Sequence, residues 1–486
     1  MKFSPIQIIK YQLYLLQLEN YSLQRFQTLF WRRLILPAAP MRQNLAWTAK
    51  LKIIAVLATI IQLIIFLFIV ALMFAHFSTP VVVVVSAVLF YITSALFGLW
   101  AMAAVLIVLP ADYLLKQYII SQAKKKLKQH KKLIIVGITG SYGKTTLKEF
   151  ISEVLSTQYK VLKTEGNKNT PLGIANVILD QLSFDTEVFI IEMGAYQKGD
   201  IKQICEIASP DISILTGINE SHLERFGTIQ NTIATKFEIV QCARPQARVI
   251  LNSDNDLVLK YYQDYIKSDQ KVAFYSAYNN KLCDYRVIDK QFLSDSICQT
   301  ADIMHKSNSV GTIKTMFLGE YVFGDIIAAI MVARILGVSL ENIRHGITNL
   351  KPINHRLQPI RGQNDILVID DSYNGSFNGV EEAIFTLSHF KNRRKIYVTP
   401  GLVEAAHEAR QLHYHIGKIL AKTADLVVLI KNSVTIYIEQ GLLEAGFAKD
   451  NIIFFKNATE AHKKIQELTK PGDIVLFQND WPDNYM

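Results

Sequence analysis

Between Lys52 and Asp112 the chain contains no aspartate, glutamate, lysine or arginine. Within that interval, Ile53–Phe77 and Val81–Leu109 are each longer than the roughly 20 apolar residues that cross a bilayer. His76, Ser78, Thr79 and Pro80 interrupt the run between them. The pattern predicts a hairpin of two transmembrane helices over 53–111, because few soluble cores bury so long a stretch without one charge. The run starts far from Met1 and exceeds the roughly 7–15 apolar residues of a cleaved signal, so a retained anchor is expected. The same absence argues against a transporter, since intramembrane ionisable residues usually mark a polar pathway.

Cysteine is scarce as well. Cys205, Cys242, Cys283 and Cys298 form no C-x-x-C pair, which argues against zinc-ribbon and dithiol-redox functions and predicts free thiols. Acid is scarce ahead of the hairpin, where residues 1–52 hold eight basic side chains and the single acid Glu19. Behind it, Lys124, Lys125, Lys126, Lys128, Lys131 and Lys132 form a second basic cluster. Two positive flanks around a neutral turn predict a two-pass protein of the inner membrane, with the bulk of the chain on the cytoplasmic side. The net charge of +10 resides in these flanks, and the rest of the chain is slightly acidic. That distribution fits either anionic lipid headgroups or a plain topology signal, and argues against nucleic acid as a partner. Phe3–Leu36 reads as an amphipathic segment at the membrane interface, or as a helix packed on the soluble domains.

From Leu133 the pattern becomes α/β. The apolar run "LIIVGI" leads into "GITGSYGKTT", and Leu147, Phe150, Ile151, Val154 and Leu155 then recur at helical spacing. Further buried-type strands are predicted at 188–191, ending at Glu192, and at 212–216 and 249–251. A second α/β unit is predicted after Pro359, with strands at 366–369, 395–398, 426–430, 452–455 and 474–477 alternating with helices. The organisation expected is a basic segment 1–52, a hairpin 53–111, a basic linker 112–132, a central domain 133–355 and a Rossmann-like domain 356–486.

Strand, glycine-rich loop and helix form the context in which a phosphate-binding loop is credible. Gly140 and Gly143 let successive amides face an anion, and the helix N-terminus adds positive potential. Lys144 can reach the outer phosphates of ATP, and the Thr145 hydroxyl suits Mg²⁺. The strict loop pattern has glycine where this chain has Ile138. The form seen here, Thr139, Gly140, Ser141, Tyr142, Gly143, Lys144, Thr145, Thr146, resembles that of the Mur ligase family.

The resemblance extends over roughly 133–430 and is nearest to the members that add D-alanyl-D-alanine to a muramoyl tripeptide. It rests on "TEGNKNTPLG", "EMGAYQKGDI", "NESHLERFG", "ATKFEIV" and "HRL" followed by "IDDSYNGS", in that order. It implies an ATP-dependent amide ligase working through an acyl phosphate on a muramoyl-peptide precursor, with an amino acid or dipeptide as the second substrate. It implies Mg²⁺ ligands at Thr145, Glu192, His222 and Lys236, the last as a carbamate, and catalytic roles for Lys144, His222 and Lys236. ATP contacts are implied at 139–141 and 143–146 and at Arg356, Asp371 and Asn374, and substrate contacts at Asn167, Asn169, Thr170 and Glu404.

Four stretches depart from the family pattern. The end that in relatives holds the UDP-gripping domain is here the apolar hairpin, so the precursor is either UDP-linked and held differently or lipid-linked. "GEYVFGD" has Tyr321, Val322 and Asp325 where the family has histidine and two asparagines near adenine. "TPGLVEAAHE" keeps only Glu404, with His413 further on. "FQNDWPDNY" puts Gln478, Asn479 and Asp480 where a cationic motif grips the dipeptide. A poly-γ-glutamate synthase-like ligase and an ATP-binding scaffold without ligation are the alternatives.

Overall fold

The computed structural model describes residues 5–35, 45–166, 168–219, 226–280, 282–373, 375–402 and 409–479. It forms two compact units, one up to Tyr118 and one from Ile119 onward.

The first unit is helical: Pro5–Leu18 (α1), Leu23–Ile35 (α2), Ala49–Phe74 (α3), Thr79–Ala95 (α4) and Phe97–Gln129 (α5), which runs on into the second unit. Thr48 caps α3 by accepting the Leu51 N–H, and the 26 residues of α3 rise about 39 Å against a hydrocarbon core of about 30 Å. α3 and α5 are long and apolar enough to cross a membrane, and only 17% and 22% of their most apolar stretches are buried. The charge-free pattern predicts one helix over 81–109, but the structure breaks it at Leu96. The cause is remote: Gln12 of α1 donates to the Ala95 carbonyl and accepts from the Gly98 N–H, both at 2.6 Å. α5 also carries most of the 112–132 stretch as helix, through Pro110 to Gln129, because its Leu, Lys, Gln and Ala residues favour helix.

The described part of the 3–36 segment is α1 and α2, divided at Asn20 and Tyr21, which have positive φ of 51° and 61°. They pack on the hairpin helices through Leu13, Leu16, Phe26 and Phe30, against Leu51, Ile54, Phe97 and Ala101.

The second unit contains a nine-stranded sheet. Its strands are Ile134–Thr139 (β1), Val161–Lys163 (β2), Val188–Glu192 (β3), Ile212–Leu215 (β4), Arg248–Asn252 (β5), Lys271–Ser276 (β6), Tyr285–Leu293 (β7), Cys298–His305 (β8) and Asn308–Thr315 (β9). The order is β2-β3-β1-β4-β5-β6-β7-β8-β9, parallel as far as β7 and antiparallel beyond. Lys144–Leu155 (α6), Pro171–Gln181 (α7), Asp200–Ile207 (α8), Ile229–Gln241 (α9) and Val322–Ile335 (α10) are its main helices. The strands predicted at 188–191, 212–216 and 249–251 are β3, β4 and β5. The antiparallel β7–β9 has no counterpart in the sequence reading, because its half-exposed strands carry no continuous apolar run.

A six-stranded sheet follows: Gln358–Arg361 (β10), Leu367–Asp371 (β11), Lys395–Thr399 (β12), Leu426–Ile430 (β13), Ile452–Phe455 (β14) and Ile474–Gln478 (β15). Its order is β10-β11-β15-β12-β13-β14, with only β10 antiparallel to its neighbour. Phe377–Ser388 (α11) and Ala409–Leu420 (α12) lie among its helices.

Candidate active site

The site forms where β1, β3 and β4 end. β1 lies between β3 and β4, with Ile138 in register with Glu192 and Thr139 with Leu215, so loop, carboxylate and Thr216 leave the same sheet edge. All residues of β3 are buried, which fits its apolar run.

The loop is held from behind. Thr139 Oγ1 donates to the Met193 carbonyl at 2.8 Å, the Ser141 N–H to Gly217 at 2.8 Å, and Thr216 Oγ1 to the Tyr142 carbonyl. A β-carbon at Gly140 would run into the Thr216 hydroxyl, and Gly143 caps α6 at φ +76°, so side chains are excluded at both positions. Lys144 Nζ donates back to the Gly140 carbonyl at 2.7 Å. Burial lowers the Lys144 pKa, Glu192 opposes the shift and Arg356 adds to it. Thr146 lies buried in the first turn of α6.

Glu192 gathers the polar side chains. Its Oε2 accepts from Thr145 Oγ1 at 3.0 Å and from Lys148 Nζ at 3.2 Å, and its Oε1 accepts from Asn169 Nδ2 at 3.3 Å. Lys148 is fully buried and is absent from the sequence-based set. Its position one turn after Lys144 and three residues after Thr145 was the available signal, since such residues share a helix face.

Lys236 of α9 is buried, 5.9 Å from the Phe226 ring centroid. Burial first, then the nearby Lys144 charge, brings its pKa from an ordinary 10.5 down to about 7, with Asp200 and Glu238 opposing. Thr170 caps α7, its hydroxyl accepting the Gly173 N–H at 3.2 Å, and so has a structural task besides any substrate contact.

Arg356, just ahead of β10, and Asp371, at the end of β11, belong here. The Arg356 guanidinium lies 4.2 Å from the Tyr373 ring centroid and acts electrostatically on Lys144 and Asp371. Asp371 is buried, with Oδ1 accepting the Leu357 N–H at 3.1 Å and Oδ2 the Gln478 amide at 2.6 Å. Burial raises its pKa, and the Gln478 bond opposes the rise. Gln478 and Asn479 therefore tie the end of β15 to Asp371 and Gly375, since Asn479 Oδ1 also accepts the Gly375 N–H at 2.7 Å. His413 is likewise structural: its Nε2 accepts the Leu402 N–H at 2.8 Å.

Asp325, in the first turn of α10, lies beside the loop, where a β-carbon at Gly143 would sit 3.3 Å from Oδ1. Its Oδ2 is buried without a hydrogen-bond partner among the described residues, and burial raises its pKa well above the carboxylate range. A protonated carboxyl would both donate and accept, as a carboxamide does.

His222, Asn167, Asn374 and Glu404 lie outside the described residues. Among those described, no three His, Cys, Asp or Glu side chains form a metal cluster. The adjacent hydroxyl of Thr145 and carboxylate of Glu192 are hard oxygen donors of the kind Mg²⁺ takes when phosphates supply the remaining ligands.

Residues 138–333 match the Mur ligase middle domain, and residues 355–478 match the Mur ligase glutamate ligase domain. A UDP-N-acetylmuramoyl-tripeptide–D-alanyl-D-alanine ligase from Bacillus subtilis is 28% identical over 348 residues, covering 71% of this chain and 72% of that protein. Its namesake from Synechocystis is 25% identical over 346 residues, covering 71% of each. The crystal structure of the MurF ligase from Thermotoga maritima in complex with ADP matches with a TM-score of 0.66 at 25% identity, covering 75% of this chain and 80% of that one. With both domains matched in order and the loop and Glu192 assembled at one sheet edge, the chain belongs to the Mur ligase family of ATP-dependent ligases.

Proposed function

We propose that this chain is a membrane-anchored ligase that joins D-alanyl-D-alanine to the terminal carboxylate of a muramoyl-tripeptide precursor at the expense of ATP. The observation that carries the reading is the contact set Thr145–Glu192–Asn169 beside a phosphate loop, with Lys236 and Arg356 close by. The names of the relatives supply the substrates.

In the first step a substrate carboxylate oxygen attacks the γ-phosphorus, the bond to the β–γ bridging oxygen breaks, and ADP leaves. Lys144 and Arg356 stabilise negative charge on the phosphoryl oxygens. In the second, the amine nitrogen attacks the acyl-phosphate carbonyl and loses a proton, and the C–O bond to phosphate breaks. Asn169 orients Glu192, and Asn167, Thr170 and Glu404 contact the substrates. Asp371 and Asn374 hold the ribose, for which each Asp371 oxygen keeps a second lone pair. Thr145, Glu192, His222 and a carbamate on Lys236 would hold Mg²⁺, which neutralises phosphate charge. The low pKa of Lys236 supports the carbamate, because only a neutral amine adds CO₂.

The anchor reading has α3 cross the bilayer and α4 with the start of α5 return, leaving the catalytic unit cytoplasmic. Lys50 and Lys116 both pair with Asp112, at 2.9 and 2.8 Å, which supports one level for both ends of the hairpin. The test is phosphate release by the detergent-purified protein with Mg²⁺, ATP, UDP-muramoyl tripeptide and D-alanyl-D-alanine. Release should require both substrates, and release with either one alone would count against ligation.

A further inference from the structure

Phe184, in the loop between α7 and β3, is 82% exposed, more than any other large hydrophobic side chain among the described residues. A lone exposed side chain needs no explanation, but this one is built into its place. Its ring stacks on His130 at 5.0 Å and 12°, while Asp185 beside it is engaged by Ser183 Oγ and by Lys160 Nζ, each at 2.5 Å. The loop thus presents the ring with its nearest acid already paired.

Around His130 lies the lysine cluster, and the structure sorts its members. Lys126 donates to the Leu179 carbonyl at 2.8 Å and Lys124 lies 4.0 Å from Glu206, so both serve the fold. Lys125, Lys128, Lys131 and Lys132 are exposed and make no ion pair with a described residue. Of the neighbouring acids, Asp180 is exposed and Glu187 accepts the Lys160 N–H at 2.9 Å. An exposed aromatic ring set among unpaired lysines is the pairing that binds an anionic bilayer surface, the ring entering the headgroup–acyl boundary and the cations meeting lipid phosphate.

Exposed apolar side chains on α5 continue to Tyr118, and Lys124 follows six residues later, about 9 Å of helix and close to the ~8 Å screening length.

We propose that the catalytic unit docks on the anionic face of the membrane through Phe184 and Lys125, Lys128, Lys131 and Lys132, so that its orientation is fixed rather than free on the α5 tether. The inference rests on the reading that α3–α5 are a membrane anchor.

Phe184→Trp in the full chain, reconstituted into nanodiscs, tests it by quenching with brominated lipid. The native Trp31, Trp47, Trp100 and Trp481 give the background, taken from the wild-type chain. In phosphatidylglycerol discs the variant should show quenching beyond that background. The excess should fall at least twofold in phosphatidylcholine discs, in 1 M salt, where screening acts over about 3 Å, and when Lys125, Lys128, Lys131 and Lys132 are replaced by Gln. Background quenching without excess would overturn the docking and leave the anchor standing. Absence of both would overturn the anchor and the docking together. Protection of the introduced indole from brominated lipid and from aqueous iodide alike would mean that protein covers the ring, and would also overturn the proposal.

Discussion

At the residue scale three lysines of the site carry the chemistry. Lys144 curls onto the Gly140 carbonyl, Lys148 lies against Glu192, and Lys236 is buried with its pKa brought down to about 7. Lys144→Ala should abolish ligation, by about 100-fold or more in kcat if the lysine acts on the transferring phosphoryl group, while the melting temperature changes little. Lys236 offers a pH signature. Its neutral form, the one that takes up CO₂, rises through pH 7, so carbamate occupancy at fixed CO₂ should fall below about pH 7 and level off above about pH 8. A carbamate signal in ¹³C NMR under ¹³CO₂, absent from Lys236→Ala, checks this, and a signal unchanged between pH 6 and 8 would contradict it. The turn at 140–143 was legible because its two glycines stand between an apolar run and a helical pattern. Lys148 was not, since a lysine in a helix is ordinarily a solvated charge until the fold buries it. Gln478 was read as replacing a substrate grip, but its amide is engaged by Asp371 across a parallel strand pair, which no local pattern shows.

At the element scale, strands buried on both faces were readable and irregular ones were not. β3 up to Glu192 and all of β13 are apolar runs buried throughout, whereas β7–β9 alternate toward solvent and lack such a signal. The break between α4 and α5 is a long-range effect, made by one glutamine of α1. Gln12→Leu leaves the Ala95 carbonyl and the Gly98 N–H without that partner, which should cost about 1–3 kcal/mol. A lowered melting temperature of the detergent-solubilised chain, with ATP binding intact below the transition, is the expected result. An unchanged melting temperature would mean that lipid or detergent leaves the break open without the glutamine.

At the scale of the whole molecule, the two sheets of the catalytic unit meet through Glu382 of α11, whose Oε1 accepts the Glu320 N–H at 2.6 Å. Tyr278 donates to its Oε2 at 3.5 Å. Burial raises the Glu382 pKa, so its ionisation opposes folding. The favourable contribution is present below the ordinary carboxylate value and is lost as pH rises through the folded value. Glu382→Gln keeps the acceptor without the buried charge and should melt at or above wild type at pH 8, whereas Glu382→Ala should melt lower. A glutamine variant that melts well below wild type would show that the charge itself holds the sheets.

The central claim is ligation through an acyl phosphate, and the most direct measurement follows oxygen. Muramoyl tripeptide labelled with ¹⁸O in its terminal carboxylate would be turned over with ATP and D-alanyl-D-alanine by the full-length protein in detergent, and the released phosphate analysed by mass spectrometry. The account predicts one ¹⁸O in each phosphate, carried over when the C–O bond of the acyl phosphate breaks. Phosphate free of label, formed at the same rate as product, would contradict it.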